Sequence, residues 1–380
     1  MTSQNENKEQ NSRSSLPSFT KHFSAIEDPR RTDRGNFRYP IEEILFLTIS
    51  AVISGFKTYG LICLFGKEKI DWLGKFYPYK NGIPSSDVLE RFYARLDEKK
   101  FAECFSAWIN EKVSLKRELV NIDGKTVRGS GKEGSHSAIH MISAYASENR
   151  LTLAQVAVPD KKNEITAIPH LVDLLAIKGC TVSIDAIGCQ KDIASKIREK
   201  KADYILQVKS NQQTLLEQLQ TAFKVTPTSS EAVENDFGHG RIESRECRVV
   251  TDLRFVDEKT VWEDLKSAVQ LTRKVIDKKT GKESTHVSYY ISSAKRTATE
   301  FNWLIRGHWA IENRLHWSLD VLFQEDRSFK KAGNSAKNFN IINKMALAMI
   351  EKEPTPKKSK KEKMTSCALN DHFREITLDF

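Results

Sequence analysis

Paired cysteines are missing from this sequence. Six cysteines are scattered over 380 residues, and none stands in a Cys-x-x-Cys pair. That spacing argues against a zinc knuckle and against a dithiol redox motif. A long chain with few, unpaired cysteines is typical of a reducing compartment, so we expect a cytoplasmic protein.

Long hydrophobic runs are also missing. The most apolar stretch extends from Ile44 to Phe56 and is too short to cross a bilayer. The N-terminal residues are polar and have no apolar signal-peptide core. We therefore expect no membrane segment, a disordered leader over residues 1–16, and a buried helix within the apolar stretch.

Acidic residues do not dominate the charge. Lysine and arginine number 60 against 50 aspartates and glutamates, which gives a net charge of +10 and a pI of about 9.1. A basic balance favours a polyanionic partner, most often nucleic acid; a basic soluble enzyme without such a partner is the alternative. The lysine run at residues 357–363 is interpreted as a solvated, disordered segment that could attract phosphate non-specifically.

The sequence does contain a clear change of periodicity near residue 117. Before it, apolar residues follow helical spacing, with Pro40 at one helix start and Ser85 and Ser86 as N-caps of another. After it, three strand-like runs follow in succession, and two more alternate with helices. The five runs lie at residues 119–123, 140–147, 151–158, 180–187 and 203–209.

This order predicts an α/β fold with a mixed sheet and helices on its faces. We expect an all-helical N-terminal domain at 17–116, a sheet core at 117–223 and 297–351, a β-rich insertion at 224–296 and a basic tail at 352–380.

Two acids stand at the ends of apolar runs. Asp123 closes the first run and precedes Gly124, and Asp185 lies near the end of the fourth. Each has an ordinary alternative, an Asp-Gly turn for Asp123 and a turn or N-cap aspartate for Asp185. Together they favour a metal site, because α/β sheets place functional groups at strand ends and phosphodiester chemistry uses hard divalent ions held by carboxylates.

A third acid, Glu312, lies in a helix-like segment rich in tryptophan, histidine and arginine. Its helical neighbours are bulky and apolar, and a carboxylate among such groups is costly unless it is paired or metal-bound. The alternative is a surface glutamate that pairs with Arg306, Arg314 or a lysine.

Several segments together carry a family resemblance. IDGKTVRGS begins at residue 122, SIDAIGCQKDIA at residue 183 and RGHWAIENRLHWSLDV at residue 306. With KKNEITAIPHL, YILQVKSNQ, HGRIESR and YYISS in the same order, they resemble the H-repeat-associated insertion-sequence transposases of the DDE superfamily. The resemblance covers most of the chain and implies a ribonuclease-H-like mixed sheet with flanking helices.

The resemblance also implies a reaction and its residues. Asp123, Asp185 and Glu312 fall at the positions of the DDE triad. In that role they would hold two Mg²⁺ ions, with Mn²⁺ as a substitute, while DNA is cut and rejoined at the ends of the insertion sequence.

The family's wider pattern has a tyrosine, an arginine and a lysine around the glutamate. This chain has Ile305, His308 and Leu319 at those positions. Which residues of this segment would contact phosphate is therefore not decided by the resemblance. Asp320 and Asp326 stay as alternatives for an acidic role.

Double-stranded DNA is the expected partner, both as terminal inverted repeats and as target. A homodimer is expected by analogy, because paired ends have to be held together, and we expect it at the bacterial nucleoid. Candidates for end binding in the helical domain are Arg30, Arg31, Arg34 and Tyr39. Residues expected to contact phosphate elsewhere are Lys125, Lys209, Arg241, Arg245, Arg306, His308 and Arg314.

Two other functions stay open at this point. A metal-dependent endonuclease on the same core would cut DNA without joining it, and a non-catalytic remnant would only bind DNA. The presence of all three acids argues against the remnant, whereas the sequence does not separate cleavage alone from cleavage with strand transfer.

Overall fold

The structure is a computed structural model that describes residues 17–30, 38–131, 138–159, 161–238 and 240–380. The predicted leader lies outside these ranges. Between residue 19 and residue 112 the described elements are helical. They are α1 (Phe19–Phe23), α2 (Ile41–Ile53), α3 (Tyr59–Glu68), α4 (Ile70–Leu73), α5 (Ser86–Arg95) and α6 (Glu98–Lys112).

Helix α2 confirms the interpretation of the apolar stretch as a buried helix. It begins directly after Pro40, and every residue in it except Glu42 is buried. None of the helices described here combines the length and the apolar character that crossing a membrane requires.

Nine strands of the described residues form one mixed sheet. They are β1 (Leu119–Thr126), β2 (His140–Ala146), β3 (Leu151–Val158), β4 (Thr181–Ile184), β5 (Asp203–Val208), β6 (Ser230–Gly238), β7 (Arg241–Val250), β8 (Ser267–Asp277) and β9 (Glu283–Ser292). Their order across the sheet is β3-β2-β1-β4-β5-β9-β8-β7-β6. Strands β1, β4 and β5 are parallel neighbours, and the other neighbours are antiparallel. The α/β prediction with a mixed sheet is confirmed.

The β-rich insertion belongs to this same sheet. Strand β9 pairs with β5, so β6 to β9 extend the sheet rather than form a separate layer. The sequence of the insertion contains two strand-like runs, RIESRECRVV at 241–250 and VSYYISSA at 287–294, and they correspond to β7 and β9. The sequence does not predict strand β6, because it is an edge strand whose residues alternate between half-buried and exposed, without an apolar face.

The remaining helices cover the sheet and close the chain. They are α7 (Glu164–Asp173), α8 (Lys191–Glu199), α9 (Gln213–Val225), α10 (Ala298–His308), α11 (Trp317–Val321), α12 (Ser335–Lys352), α13 (Lys360–Leu369) and α14 (Asp371–Leu378). Alternate residues of β1 face opposite ways. Asn121 donates a hydrogen bond to the Gly307 carbonyl of α10 at 2.9 Å, whereas Gly124 lies against Glu164 of α7. Helices α7 and α10 therefore lie on opposite faces of the sheet.

One hydrophobic core joins the N-terminal helices to the sheet. Phe46 and Trp108 of these helices belong to the same buried cluster as Ile122 of β1 and Ile342 of α12. The N-terminal helices thus share a core with the sheet, and the structure does not delimit them as a separate domain.

The C-terminal segment corrects the expectation of a solvated, disordered tail. Ser359 and Glu362 form a capping box that starts α13 inside the lysine run. Arg374 of α14 is fully buried, with its guanidinium carbon 4.0 Å from the ring centroid of Trp72. The sequence does not predict α13, because the helix begins within the lysine run and has few buried apolar residues, such as Cys367.

Candidate active site

Asp123 and Asp185 lie side by side on neighbouring parallel strands. The register of β1 and β4 pairs Ile122 with Ile184, so the acid that follows each isoleucine stands at the same level of the sheet. Strand β1 continues to Thr126, and the Asp-Gly turn considered for Asp123 is therefore wrong. Asp185 directly follows β4 and accepts a hydrogen bond from the Ile187 amide at 3.2 Å, so it also caps the following turn.

Glu312 reaches the same region from α10. Helix α10 lies so close to β1 that a Cβ atom on Gly307 would stand 2.5 Å from Cδ2 of Leu119. The chain then passes into a π-helical turn, Ile311–His316, which contains Glu312. Such turns are rare and occur often at functional sites. The close approach of α10 is what places this turn beside the ends of β1 and β4.

The three acids influence one another electrostatically. Burial raises the pKa of Asp123 to about 7, and the carboxylates of Asp185, Glu312 and Glu164 act in the same direction, against a hydrogen bond from the Gly124 amide. Burial also raises the pKa of Asp185. Partial desolvation, and then the charge of Asp185, raises the pKa of Glu312. Mutual repulsion of this kind favours a bound cation.

The donor chemistry at this place fits a hard divalent ion, since each candidate ligand is a carboxylate. The charge fits as well, because the carboxylates of Asp185, Glu312 and Glu164 raise the pKa of Asp123. However, no three His, Cys, Asp or Glu side chains among the described residues stand close enough together to hold one metal ion. The three acids are neighbours, but their side chains would have to move closer to one another to share an ion.

Glu164 is a further acid at this place that the sequence did not reveal. It is 4% exposed, it pairs with His140, and one of its carboxylate oxygens has no hydrogen-bond partner. It faces Gly124, where any Cβ atom would collide with it. Glycine at position 124 thus makes room for a protein carboxylate. In the sequence Glu164 is only one acid at the start of a helical stripe, which is a common pattern.

Lys125, Asp320 and Asp326 belong to a different network. The Lys125 ammonium lies 2.8 Å from Asp320, 3.3 Å from Glu325 and 3.3 Å from Asp326, and only 11% of its side chain is exposed. Lys125 therefore neutralises acids inside the protein, which does not support its predicted contact with phosphate. The two alternative acids are engaged with it.

A large cleft opens beside the carboxylates, between α10 and the inserted strands. Asp185 and Glu312 line it. Six of the seven residues predicted to contact phosphate line it as well, namely Lys209, Arg241, Arg245, Arg306, His308 and Arg314. Some of these cations already have partners, because Arg306 pairs with Asp236 at 2.6 Å and Arg314 donates to the Ser147 carbonyl at 3.1 Å.

The three positions that depart from the family pattern are largely internal. Ile305 and Leu319 are buried in apolar clusters. His308 shares a hydrogen bond of 2.9 Å with Ser183, and burial lowers its pKa to about 4. His308 is consequently neutral at physiological pH and does not replace the positive charge of an arginine.

Of the candidates for end binding, Arg30 is engaged within the protein. It donates to Asp28 at 2.8 Å and to the Tyr39 carbonyl. Arg31 and Arg34 lie outside the described residues. The contacts of Arg30 give no support to its expected role on DNA.

Comparison with known proteins identifies the family of this chain. The family model described as Transposase DDE domain matches residues 114–349, and the model described as DDE_Tnp_1-associated matches residues 20–109. The chain is 40% identical over 375 residues to YncI of Escherichia coli O157:H7, a protein that carries the name of a transposase, and the match covers 96% of this chain and 95% of YncI.

A second relative has the same family association in its name. The chain is 36% identical over 369 residues to the H repeat-associated transposase-named protein YhhI of Escherichia coli strain K12, covering 94% of this chain and 97% of YhhI. Among solved structures, the piggyBac transposase synaptic complex with hairpin DNA is similar, with a TM-score of 0.47, 11% identity, and coverage of 97% of this chain and 83% of that chain. The family match over residues 114–349 and the relatives aligned along nearly the whole chain together show that this protein belongs to the DDE-domain transposases of the H-repeat-associated group.

Proposed function

We propose that this transposase cuts the DNA ends of its own insertion sequence and joins them to target DNA, with Asp123, Asp185 and Glu312 as the metal-binding triad. The proposal is carried by one observation. Two acids stand at equal height on adjacent parallel strands, and a third, brought by the π-helical turn, raises the pKa of the first. Strand β1, strand β4 and helix α10 would be parts of a ribonuclease-H-like core formed by residues 117–223 and 297–351.

The triad would hold two Mg²⁺ ions or Mn²⁺ in their place. When bound, such ions lower the pKa of an attacking water and neutralise the leaving oxygen. Strand register and the packing of α10 bring the three side chains to neighbouring positions, from which they would have to move closer to hold the ions. Phosphoryl transfer depends on positioning and on charge stabilisation rather than on covalent help from the protein.

The cleft beside the triad would hold the DNA strand. Lys209 and Arg241 are exposed in it, and backbone phosphate is the usual ligand of such residues. Arg150 lines the same cleft and was not singled out from the sequence. A cationic cleft that leads to an acidic centre is suited to a phosphodiester, which needs cations along its backbone and metal ions only at the bond that breaks.

Cleavage of a duplex that carries the element's terminal repeat tests the proposal. Asp123→Asn, Asp185→Asn and Glu312→Gln should each abolish strand cleavage and leave DNA binding measurable. The matched control is Glu148→Gln, which removes an acid of the same cleft outside the triad and should cleave like the wild type. Cleavage retained by any of the three variants would remove that residue from the triad.

A second assay separates strand transfer from cleavage alone. Duplexes with pre-cut 3′-OH ends are supplied together with a target plasmid. The transposase should join them to the plasmid in the presence of Mg²⁺. Efficient cleavage without any joining would instead identify a metal-dependent endonuclease.

A further inference from the structure

One face of the inserted strands changes from apolar to charged where it passes the end of α10. Cys247 of β7 and Leu271 of β8 pack against Phe301 and Ile305 of α10 in a small core. Arg245 precedes Cys247 by two residues and Arg273 follows Leu271 by two, so both arginines lie on this same face. They line the cleft beyond the cover of α10.

These two arginines, Arg245 and Arg273, are direct partners across the β7–β8 ladder. Like charges at opposed positions destabilise a sheet unless something lies between them. Here the Glu243 carboxylate lies between the two guanidinium groups and offsets their repulsion. It accepts two hydrogen bonds from Arg273, at 2.8 Å and 2.7 Å, and it pairs with Arg245 through the same carboxylate.

The exposed fractions of the Glu243 and Arg273 side chains indicate which kind of ligand can reach these three residues. The side chain of Glu243 is only 9% exposed, whereas that of Arg273 is 41% exposed. The carboxylate lines the cleft but is far less exposed than the Arg273 guanidinium group that it holds. One carboxylate balances one of two arginines, so the group keeps a net positive charge and presents donors of fixed direction, which suits the oxygens of a phosphate group.

Neighbouring residues keep Glu243 ionised and place the site beside the acids of the cleft. Hydrogen bonding from Arg273 lowers the pKa of Glu243, and the charges of Arg245 and Arg241 act in the same direction, so Glu243 is ionised at neutral pH. His286 stands next to Arg273 on β9 and lines the cleft too. The site lies in the same cleft as Asp185 and Glu312.

We propose that Arg245 and Arg273 form a phosphate-binding site for the DNA strand that enters the cleft, and that Glu243 is a positioning residue that holds both guanidinium groups. This inference rests on the proposed function, because it assumes that DNA occupies the cleft. It assigns to the inserted strands the role of fixing the DNA backbone beside the triad.

The substitution Glu243→Gln tests the positioning role through the sign of its effect. Removing a negative charge should strengthen DNA binding if only long-range attraction mattered. If Glu243 holds the arginines, binding should instead weaken by about fivefold, since an ordered phosphate contact is lost. Affinity is measured by fluorescence anisotropy in EDTA with a labelled mixed-sequence duplex of about 30 base pairs, three turns of DNA.

The matched control for this variant is Glu231→Gln. Glu231 pairs with Arg248 at 3.2 Å on strands β6 and β7, on the opposite face of the ladder from Glu243. The control loses the same charge and should bind DNA at least as tightly as the wild type. Binding by Glu243→Gln that equals or exceeds the wild type would overturn the inference.

A second pair of variants keeps the inference testable if Glu243→Gln does not fold. Arg273→Gln and Arg248→Gln each remove one positive charge from the same sheet. Arg273→Gln should lower the slope of log affinity against log salt concentration by about one, the value for one phosphate contact, and Arg248→Gln should not. Equal slopes for the two variants would overturn the inference. Failure of the wild-type protein to bind the duplex would overturn the proposed function, and the inference with it.

Discussion

Lys344 offers a sharp test of the packing beside the active-site strand. It lies on α12, is 2% exposed, and donates a hydrogen bond to Ser143 at 2.7 Å. Ser143 is the cross-strand partner of Asp123. Burial lowers the pKa of Lys344 from 10.5 to about 7, against the carboxylate of Glu325 and together with the charge of Lys125.

The direction of the pH effect follows from proton binding. Between about pH 7 and pH 10.5 the unfolded chain holds a proton on Lys344 that the folded chain has lost, so the free energy of unfolding rises with pH in this window. The full change corresponds to about 5 kcal/mol, at about 1.4 kcal/mol per pH unit. Between pH 7 and pH 9 the contribution of this residue should be about 2 kcal/mol.

Urea unfolding of the wild type and of Lys344→Met at pH 7 and at pH 9 measures this contribution. The difference in unfolding free energy between the two proteins should shift by about 2 kcal/mol in favour of the wild type at the higher pH. A constant offset from the lost hydrogen bond to Ser143 cancels in that comparison. A difference that stays the same at both pH values would refute the burial of a neutral amine beside Ser143 of β2.

Three further predictions concern the anchors of the fold and of the site. Arg374→Ala removes a buried guanidinium from the face of Trp72 and should lower the unfolding free energy by about 3 kcal/mol; a loss below about 1 kcal/mol in urea unfolding would contradict a tightly docked C-terminal helix. Gly307→Ala should destabilise the protein by about 1–3 kcal/mol because its Cβ would stand 2.5 Å from Leu119, and the same change should cost less in a Leu119→Ala background, where this clash is absent. An alanine at position 307 without any cost in thermal unfolding would show that α10 does not press on β1. Glu164→Gln keeps the side-chain shape beside the triad and should reduce DNA cleavage by about tenfold in a folded protein; wild-type cleavage rates would assign Glu164 a purely structural role.

The order of strands and helices along the first half of the sheet region was largely predictable from the sequence. The five runs that became β1 to β5 are short, apolar and rich in branched residues, and both faces of these strands are covered, so local pattern and tertiary structure agree. Strands β6 and β8 were not predicted individually. Strand β6 is a polar edge strand, and β8 changes from apolar to charged residues along its length, which no single period describes.

The positions of the candidate triad followed from motif and strand-end reasoning, but their surroundings did not. Glu164 comes from a helix on the other face of the sheet, and only the packing of α7 against Gly124 brings it near Asp123. Lys125 follows Asp123 by two positions and looked available for phosphate. Its three acidic partners lie about 200 residues away in the sequence, or nearly so. Long-range pairing of this kind leaves no local pattern.

The shared core of the two halves could not be predicted either. Helical spacing identified the N-terminal helices, but amphipathic faces do not specify which partner covers them. In the structure α12, from the far end of the chain, packs among them. Periodicity in the sequence therefore predicts the order of helices and strands, but it does not predict which of them share a hydrophobic core.

Titration of the metal-free protein with Mn²⁺ by isothermal calorimetry tests the central claim most directly, namely that Asp123, Asp185 and Glu312 bind divalent ions together. The wild type and the Glu148→Gln control should bind Mn²⁺ with the same affinity, and each single triad variant should bind it markedly more weakly. Wild-type Mn²⁺ binding by the triple variant Asp123→Asn, Asp185→Asn, Glu312→Gln would contradict the account.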